Sequence, residues 1–544
     1  MIATALCLAC SAEHYRQQAD EQVYQLIERT QKDALGGPRE SHIEPPANPL
    51  RDQLLEPAAA DSPRTSRLAR KLADSDALQA RMKSLALEDA LVIAAENSRE
   101  YQDARELVFQ RGLELTFQQY VFSNRWFGVL SADYRRNGPG QDGRSSEAVD
   151  GSANVGFFRT LEQGAQITAS LLTTFLKQLT NPRDSSSGSL FSLAITQPLL
   201  RGAGRKIVEE PLIQAERNLV YAVRDFERFR RSLAVQVARQ FFNTVQAETE
   251  LVNEHRNKDR LRLARERTQE MAKAGRLPQF QVDQAQQTEL SSDSRIITAD
   301  QRYQGLLDSL KITLGLPTDT ELAPAANVYE DLTSSGLEPI ELSEEDALRI
   351  ALARRLDLET ARDRLEDADR QIVVAEDALQ AGLDISGSID LGTRPKQPLR
   401  FDPDETDYGV GVRLDLPLDR LRERNTYRAA LILLEQRKRD LSALEDQIKL
   451  DVRDSLRTLN QAAENYKIQV TSASLARRRV DSTGDLLQAG RATTRDVLDS
   501  QDALIRSQNA LARALVDYKI ALLSLQQDME TLAMPEQGLN YVSQ

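Results

Sequence analysis

The sequence predicts a mainly α-helical chain whose strands form a membrane β-barrel, built as two structural repeats of helix, strands and long helical hairpin. Three observations lead there. Between Pro211 and Lys273, and between Leu421 and Gln488, no proline intervenes, so two very long helices are allowed. Segments such as YGVGVRLDL (408–416) alternate apolar and polar residues, the period of a half-buried strand. The chain also matches itself at three successive places.

Composition narrows the class. A length of 544 residues exceeds one ordinary globular core. The net charge of −13 argues against a nucleic-acid partner, whose phosphates demand a basic face. Aromatic residues make up 5% and charged residues 28%, a balance that suits long solvated helices better than a compact enzyme core. No run approaches the roughly 20 apolar residues of a membrane helix. Any crossing of a bilayer therefore falls to strands closed into a barrel.

The elements follow in chain order. Residues 1–10, MIATALCLAC, read as a signal-like segment with small residues near a cleavage point but no basic start. They hold both cysteines, Cys7 and Cys10, which leaves no disulfide framework or thiolate metal site. Cys10 is a candidate lipidation site; a simple cleaved signal is the other reading. Residues 11–85 read as an N-terminal helix and a Pro-rich linker. Val23, Leu26 and Ile27 share one face of a helix over 11–35, and 36–65 is an extended polar stretch.

The first repeat spans 86–316, an inter-repeat linker 317–340, the second repeat 341–534 and a tail 535–544. LEDAL at 87 falls on EEDAL at 344, with Glu88 on Glu345, 257 residues apart. TQPLLRGAGR (196–205) falls on DLPLDRLRER (415–424), with Pro198 on Pro417, 219 apart. KAGRLPQFQVDQAQ (273–286) falls on QAGRATTRDVLDSQ (488–501), with Gly275 on Gly490, 215 apart. The falling offset shows that the first half carries 38 extra residues before its proline and four more before its tip. Four residues is about one helical turn.

Strands are expected at about 113–198 and 383–417. LDISGSIDL (383–391) and YGVGVRLDL each keep one apolar face, and so does LFSLAITQ (190–197), whose partner falls within QITASLLTTFL (166–176). A further β-rich region, 113–160, holds Trp126 and accounts for most of the 38-residue excess. About four clear strands with one apolar face leave two costly open edges. A ring of several chains would close the sheet into a barrel, apolar side to lipid and polar side to a water-filled lumen. The helices, at ~1.5 Å per residue, would span about 90–100 Å each and project from it. Helix reversals fall at about 275 and 490, where glycine permits the left-handed backbone of a tight turn.

On the duplication, TQPLLRGAGR and the paired Gly-Arg tips, residues 85–534 resemble the TolC-type outer-membrane efflux family. That resemblance implies a homotrimer with a twelve-stranded barrel in outer-membrane lipid and an α-helical periplasmic tube. It implies an exit duct for efflux or secretion that opens at its periplasmic tips when docked to an adaptor and an inner-membrane transporter. The adaptor-contacting tips become Ala274-Gly275-Arg276 and Ala489-Gly490-Arg491. Asp496 and Asp499 fall on an acidic pair that lines the pore entrance and selects cations, with Gln281 and Gln284 as their neutral counterparts in the first half. The family's closed-state link, an acid at the place of Gln281 and a basic residue at that of Ala492, is absent here.

No catalytic residues, metal ligands or cofactor are expected. His14, His42 and His255 are far apart in sequence, and Arg201-Gly202-Ala203-Gly204-Arg205 lacks the lysine of a phosphate loop and reads as a strand-to-helix bend. The alternative is a periplasmic adaptor or structural coiled-coil protein. Such an adaptor carries one helical hairpin, whereas this chain carries two tips 215 residues apart.

Overall fold

Both proline-free stretches are continuous helices. The computed structural model of the protein describes residues 12–39, 42–43, 82–138, 146–179, 185–337, 342–394, 397–398, 400–535 and 538–539. The signal-like segment with Cys10, and most of the Pro-rich linker, lie outside the described residues. The elements run α1 (Ala12–Leu35), α2 (Leu87–Asn97), α3 (Arg99–Val121), β1 (Arg125–Asn137), β2 (Ser146–Thr160), β3 (Gln166–Gln178) and β4 (Ser186–Pro198). There follow α4 (Arg205–Val208), α5 (Glu210–Lys273), α6 (Gln279–Thr313), α7 (Val328–Ser335), α8 (Glu344–Arg354) and α9 (Leu356–Asp377). The chain then completes β5 (Gly382–Thr393), β6 (Phe401–Asp415), α10 (Leu421–Gln488) and α11 (Thr494–Asp528). The return helices α6 and α11 are each 35 residues long. Two compact units are distinguished.

The first unit, Met1–Thr30, Val108–Val223 and Glu359–Ser442, holds the sheet. Its described strands form one antiparallel meander in the order β1-β2-β3-β4-β5-β6. The register puts one kind of side chain on one face. Leu414, Val412 and Tyr408 of β6 lie opposite Leu383, Ile385 and Ile389 of β5. Ile389 and Leu391 lie opposite Leu193 and Phe191 of β4, which in turn face Ala169 and Leu171 of β3. Leu171 lies opposite Val155 of β2, and Phe157 opposite Trp126 of β1. On the outer strands this face is open to the surface: Val410 is 87% exposed and Trp126 69%. In water so broad an apolar face is a liability, whereas lipid accommodates it. The opposite face carries Asp384, Ser386, Ser388, Asp390, Ser192, Thr196 and Ser152. There Ser131 and Ser152 share a 2.8 Å hydroxyl contact.

Two expectations are corrected. The β region opens at Arg125, not near 113, because 113–121 continues α3. Val108, Phe109 and Leu115 of that helix are buried at helical spacing, and this packing outweighs the strand propensity of its aromatic end. The sheet has six described strands instead of four, since the 38-residue excess builds the hairpin β1–β2 and adds it to the β3 edge. The N-terminal helix docks on α3 in this unit: Val23 and Ile27 are fully buried, and Tyr24 meets Phe109 with ring centroids 5.4 Å apart. Gly112 makes room for it, because a Cβ there would stand 2.6 Å from Val23 Cγ1.

The second unit, Gln31–Leu107, Arg224–Leu358 and Ala443–Gln544, holds both helical tips. Ala247 on α5 packs with Tyr303 and Leu307 on α6. Tyr466 on α10 packs with Ala514 and Leu515 on α11, and the linker helix α7 adds Tyr329 and Leu332 to that cluster. Among the described residues no helix is long and apolar enough to cross a membrane.

Candidate functional site

The two tips close by the same hydrogen-bond pattern. At the first, Arg276 N donates to Met271 O (2.9 Å) and Gly275 N to Ala272 O (2.9 Å). At the second, Arg491 N donates to Leu486 O (2.8 Å) and Gly490 N to Leu487 O (3.0 Å). Such six-to-one closures need a left-handed residue, and Gly275 (φ 71°) and Gly490 (φ 69°) supply it. A Cβ at either would meet nothing within 4 Å, so the backbone angle alone demands glycine. Ala274, Gly275, Arg276, Ala489, Gly490 and Arg491 are all exposed.

Just beyond, the two return helices start differently. α6 begins after Pro278, which offers no side-chain cap. α11 begins with a capping box: Thr493 Oγ1 accepts from Asp496 N (3.2 Å), while the Asp496 carboxylate accepts from Thr493 N (2.8 Å). The backbone and hydroxyl of Thr493 hold the Asp496 carboxyl below the ordinary aspartate range. Asp499 is exposed and lies 3.8 Å from Arg495 Nε. Asp496 and Asp499 thus share the first turns of α11, both open to solvent. Gln281 and Gln284, their positional counterparts on α6, are half-buried.

Gln281 has a partner that the sequence did not reveal. Thr494 Oγ1 donates to Gln281 Oε1 at 2.9 Å, joining the first turns of α6 and α11. Beneath it Leu261, Ala285 and Leu498 form a small apolar cluster of α5, α6 and α11. Farther from the tips the same three helices are joined by charge. Glu250 and Glu254 on α5 are buried; Arg302 reaches Glu250 (2.9 Å), as does Arg513 (3.4 Å), and Arg295 reaches Glu254 (3.3 Å). The Thr-x-x-Asp spacing of Thr493 and Asp496 is a readable cap signal. Glu250 and Glu254, by contrast, look like any solvated pair on a polar helix. Among the described residues no cluster of His, Cys, Asp or Glu is arranged to hold a metal ion.

Residues 347–529, about a third of the chain, match the family described as outer membrane efflux protein. The matched residues include the second tip, Asp496, Asp499 and most of the second repeat, and that family is one of channels, not enzymes. No curated protein matches the chain. Three solved structures of similar fold are the outer-membrane channel OprN, the Campylobacter jejuni outer membrane channel CmeC and the open state of the Neisseria gonorrhoeae outer membrane channel MtrE. OprN is 13% identical with a TM-score of 0.61, covering 81% of this chain and 89% of its own. CmeC is 12% identical with a TM-score of 0.60, covering 81% and 85%. MtrE is 15% identical with a TM-score of 0.59, covering 81% and 88%. At such identities the likeness is one of fold.

Proposed function

We propose that this protein is an outer-membrane exit duct for efflux or secretion. Three copies assemble, their sheets sit in outer-membrane lipid, and their helices form the wall of a periplasmic passage. A periplasmic adaptor, itself joined to an inner-membrane transporter, receives the tips Ala274-Gly275-Arg276 and Ala489-Gly490-Arg491. Asp496 and Asp499 ring the entrance, where three carboxylates at each level favour cations. Gln281 and Gln284 are the neutral positions of the same ring.

The carrying observation is the match to the efflux family in a chain whose sheet presents a broad, mainly apolar face. A soluble adaptor or coiled-coil scaffold has no use for that face. The polar contact between Gln281 and Thr494 uses one of the two positions, Gln281 and Ala492, that the resembling family joins by a charged link, and it supports a reading in which opening breaks a neutral hydrogen bond.

Membrane fractionation followed by native mass in mild detergent tests the reading. A trimer in the outer-membrane fraction is expected. A soluble monomer, or a chain retained with the inner membrane, would return the protein to the adaptor or scaffold class.

A further inference from the structure

The hairpin β1–β2 changes the edge of the sheet and with it the seam between chains. We propose that the free edge of β1 pairs with the free edge of β6 in a second copy of this chain, so that three copies close a ring of eighteen strands. The inference rests on the duct reading; the seam and the strand count are its own.

Both outer strands lack a neighbour on one side within the described sheet. Open edges of this length are templates for pairing, and closure into a ring removes them. The direction fits. All neighbours are antiparallel and the described strands number six, so β1 and β6 run opposite ways, and β6 of one copy meets β1 of the next as one more antiparallel pair. The lengths fit as well: β1 has 13 residues and β6 has 15, above the roughly 9–11 that a spanning strand needs.

The faces continue across the seam. Trp126, Leu130 and Tyr134 of β1 stand on the apolar side that Tyr408, Val410, Val412 and Leu414 occupy on β6. Charge favours the pair. β1 carries three arginines against one aspartate, a net charge of +2. β6 carries one arginine against five acids, a net charge of −4. The β1–β2 and β5–β6 turns lie at one end of the meander, so Arg135 and Arg136 share that end with Asp404, Glu405 and Asp407. Opposite charges across a strand pair stabilise it, and β1 edges facing each other would not gain this. Arg135 already meets Asp150 at 2.9 Å within the chain, yet 68% of its side chain is exposed and open to a second acid.

A ring of eighteen strands would be about 1.5-fold wider than one of twelve, because barrel diameter grows nearly linearly with strand number. The added hairpin therefore enlarges the outer exit, not merely its rim.

Paired cysteines test the seam in the whole chain. Leu130→Cys or Ala132→Cys on β1 is combined with Val410→Cys or Val412→Cys on β6, all four on one face. Outer-membrane trimers are treated with a short bismaleimide beside the unmodified chain, whose cysteines are Cys7 and Cys10. At least one combination should convert monomer to covalent dimer and trimer, while each single variant should not. The control pairs Val410→Cys with Leu171→Cys on β3. Crosslinking of β6 to β3 of the neighbour would mean that the hairpin leaves the wall and a twelve-stranded ring closes without it. No crosslink in any β1–β6 combination of a true trimer would also overturn the seam, while leaving the duct intact. Absence of a trimer from the outer membrane would remove both readings.

Discussion

Thr494 Oγ1 and Gln281 Oε1 meet at 2.9 Å, and Thr494 is 1% exposed while Gln281 is half-buried, so the contact between the two return helices is largely shielded from water on the Thr494 side. A shielded neutral hydrogen bond contributes about 0.5–1.5 kcal/mol net, and more is lost when one partner stays buried and unpaired. If the bond holds the tips shut, Thr494→Val keeps the shape and removes the donor. Open probability in single-channel recordings should rise about 2- to 13-fold, the Boltzmann equivalent of that energy. Gln281→Leu should do the same, and the double variant should add little, because both remove one bond. Additive effects would mean that the two residues act separately.

The long helices, both tips and the strands β4–β6 were legible because their signals are strong and local. Absence of proline, a Gly-Arg turn and strict alternation each act within a few residues. The hairpin β1–β2 was not resolved into strands. Its apolar face is built partly from Gly128, Ala132, Gly151 and Ala153, and the pattern emerges only when Trp126 is placed opposite Phe157. The end of α3 was read as strand because Thr116, Phe117, Tyr120 and Val121 favour strands, while the deciding burial of Val108 and Phe109 is tertiary. At the tips, the duplication located Gln281 and Asp496 as counterparts. It did not locate the Gln281–Thr494 bond, which joins one residue to the other repeat's position 494, two residues short of its counterpart. The buried acids of α5 were invisible for a similar reason: their arginines come from α6 and α11.

Glycine is required at the tips by backbone angle and not by space. Gly490→Ala should therefore cost about 1–2 kcal/mol of local stability, the steric penalty of a left-handed alanine. Hydrogen exchange at Arg491 should quicken accordingly, since its amide closes the turn on Leu486 O. Gly490→Asn should cost less, because asparagine visits the left-handed region more readily. Equal losses for alanine and asparagine would point to a crowded site instead. Gly275 should repeat the result.

Asp528, the last residue of α11, and Glu530, just beyond it, are acids whose pH behaviour is opposite to that of Asp496. Burial raises the carboxyls of Asp528 and Glu530, although Arg228 stands 2.8 Å from Glu530 and Ser455 hydrogen-bonds to Asp528. A raised carboxyl contributes stability that is fully present below the ordinary carboxylate range and is lost as the pH rises through the raised value. The double variant Asp528→Asn/Glu530→Gln should gain in Tm relative to the unmodified chain as the pH climbs from 4 to 8. A constant difference across that range would show that these acids do not titrate on unfolding.

Asp496 and Asp499 can be separated by what each already does. Asp496 is tied into its capping box, so Asp496→Asn keeps an acceptor for Thr493 and removes only charge. Asp499 has Arg495 at 3.8 Å, which offsets part of its field. If both ring the entrance of a trimer, Asp496→Asn/Asp499→Asn should shift the reversal potential under a salt gradient toward that of a non-selective pore. Arg495→Gln should shift it the other way by uncovering Asp499. The thread of pH follows from the cap. A carboxyl held below the ordinary range keeps its charge as the pH falls through about 4, and its contribution to the helix end and to selectivity is lost only as the pH drops through the lowered value. Cation preference should accordingly persist below the pH at which an ordinary aspartate is half protonated, and Asp496→Asn should abolish that persistence. Reversal potentials indifferent to all three substitutions would make these acids a capped, solvated helix face and nothing more.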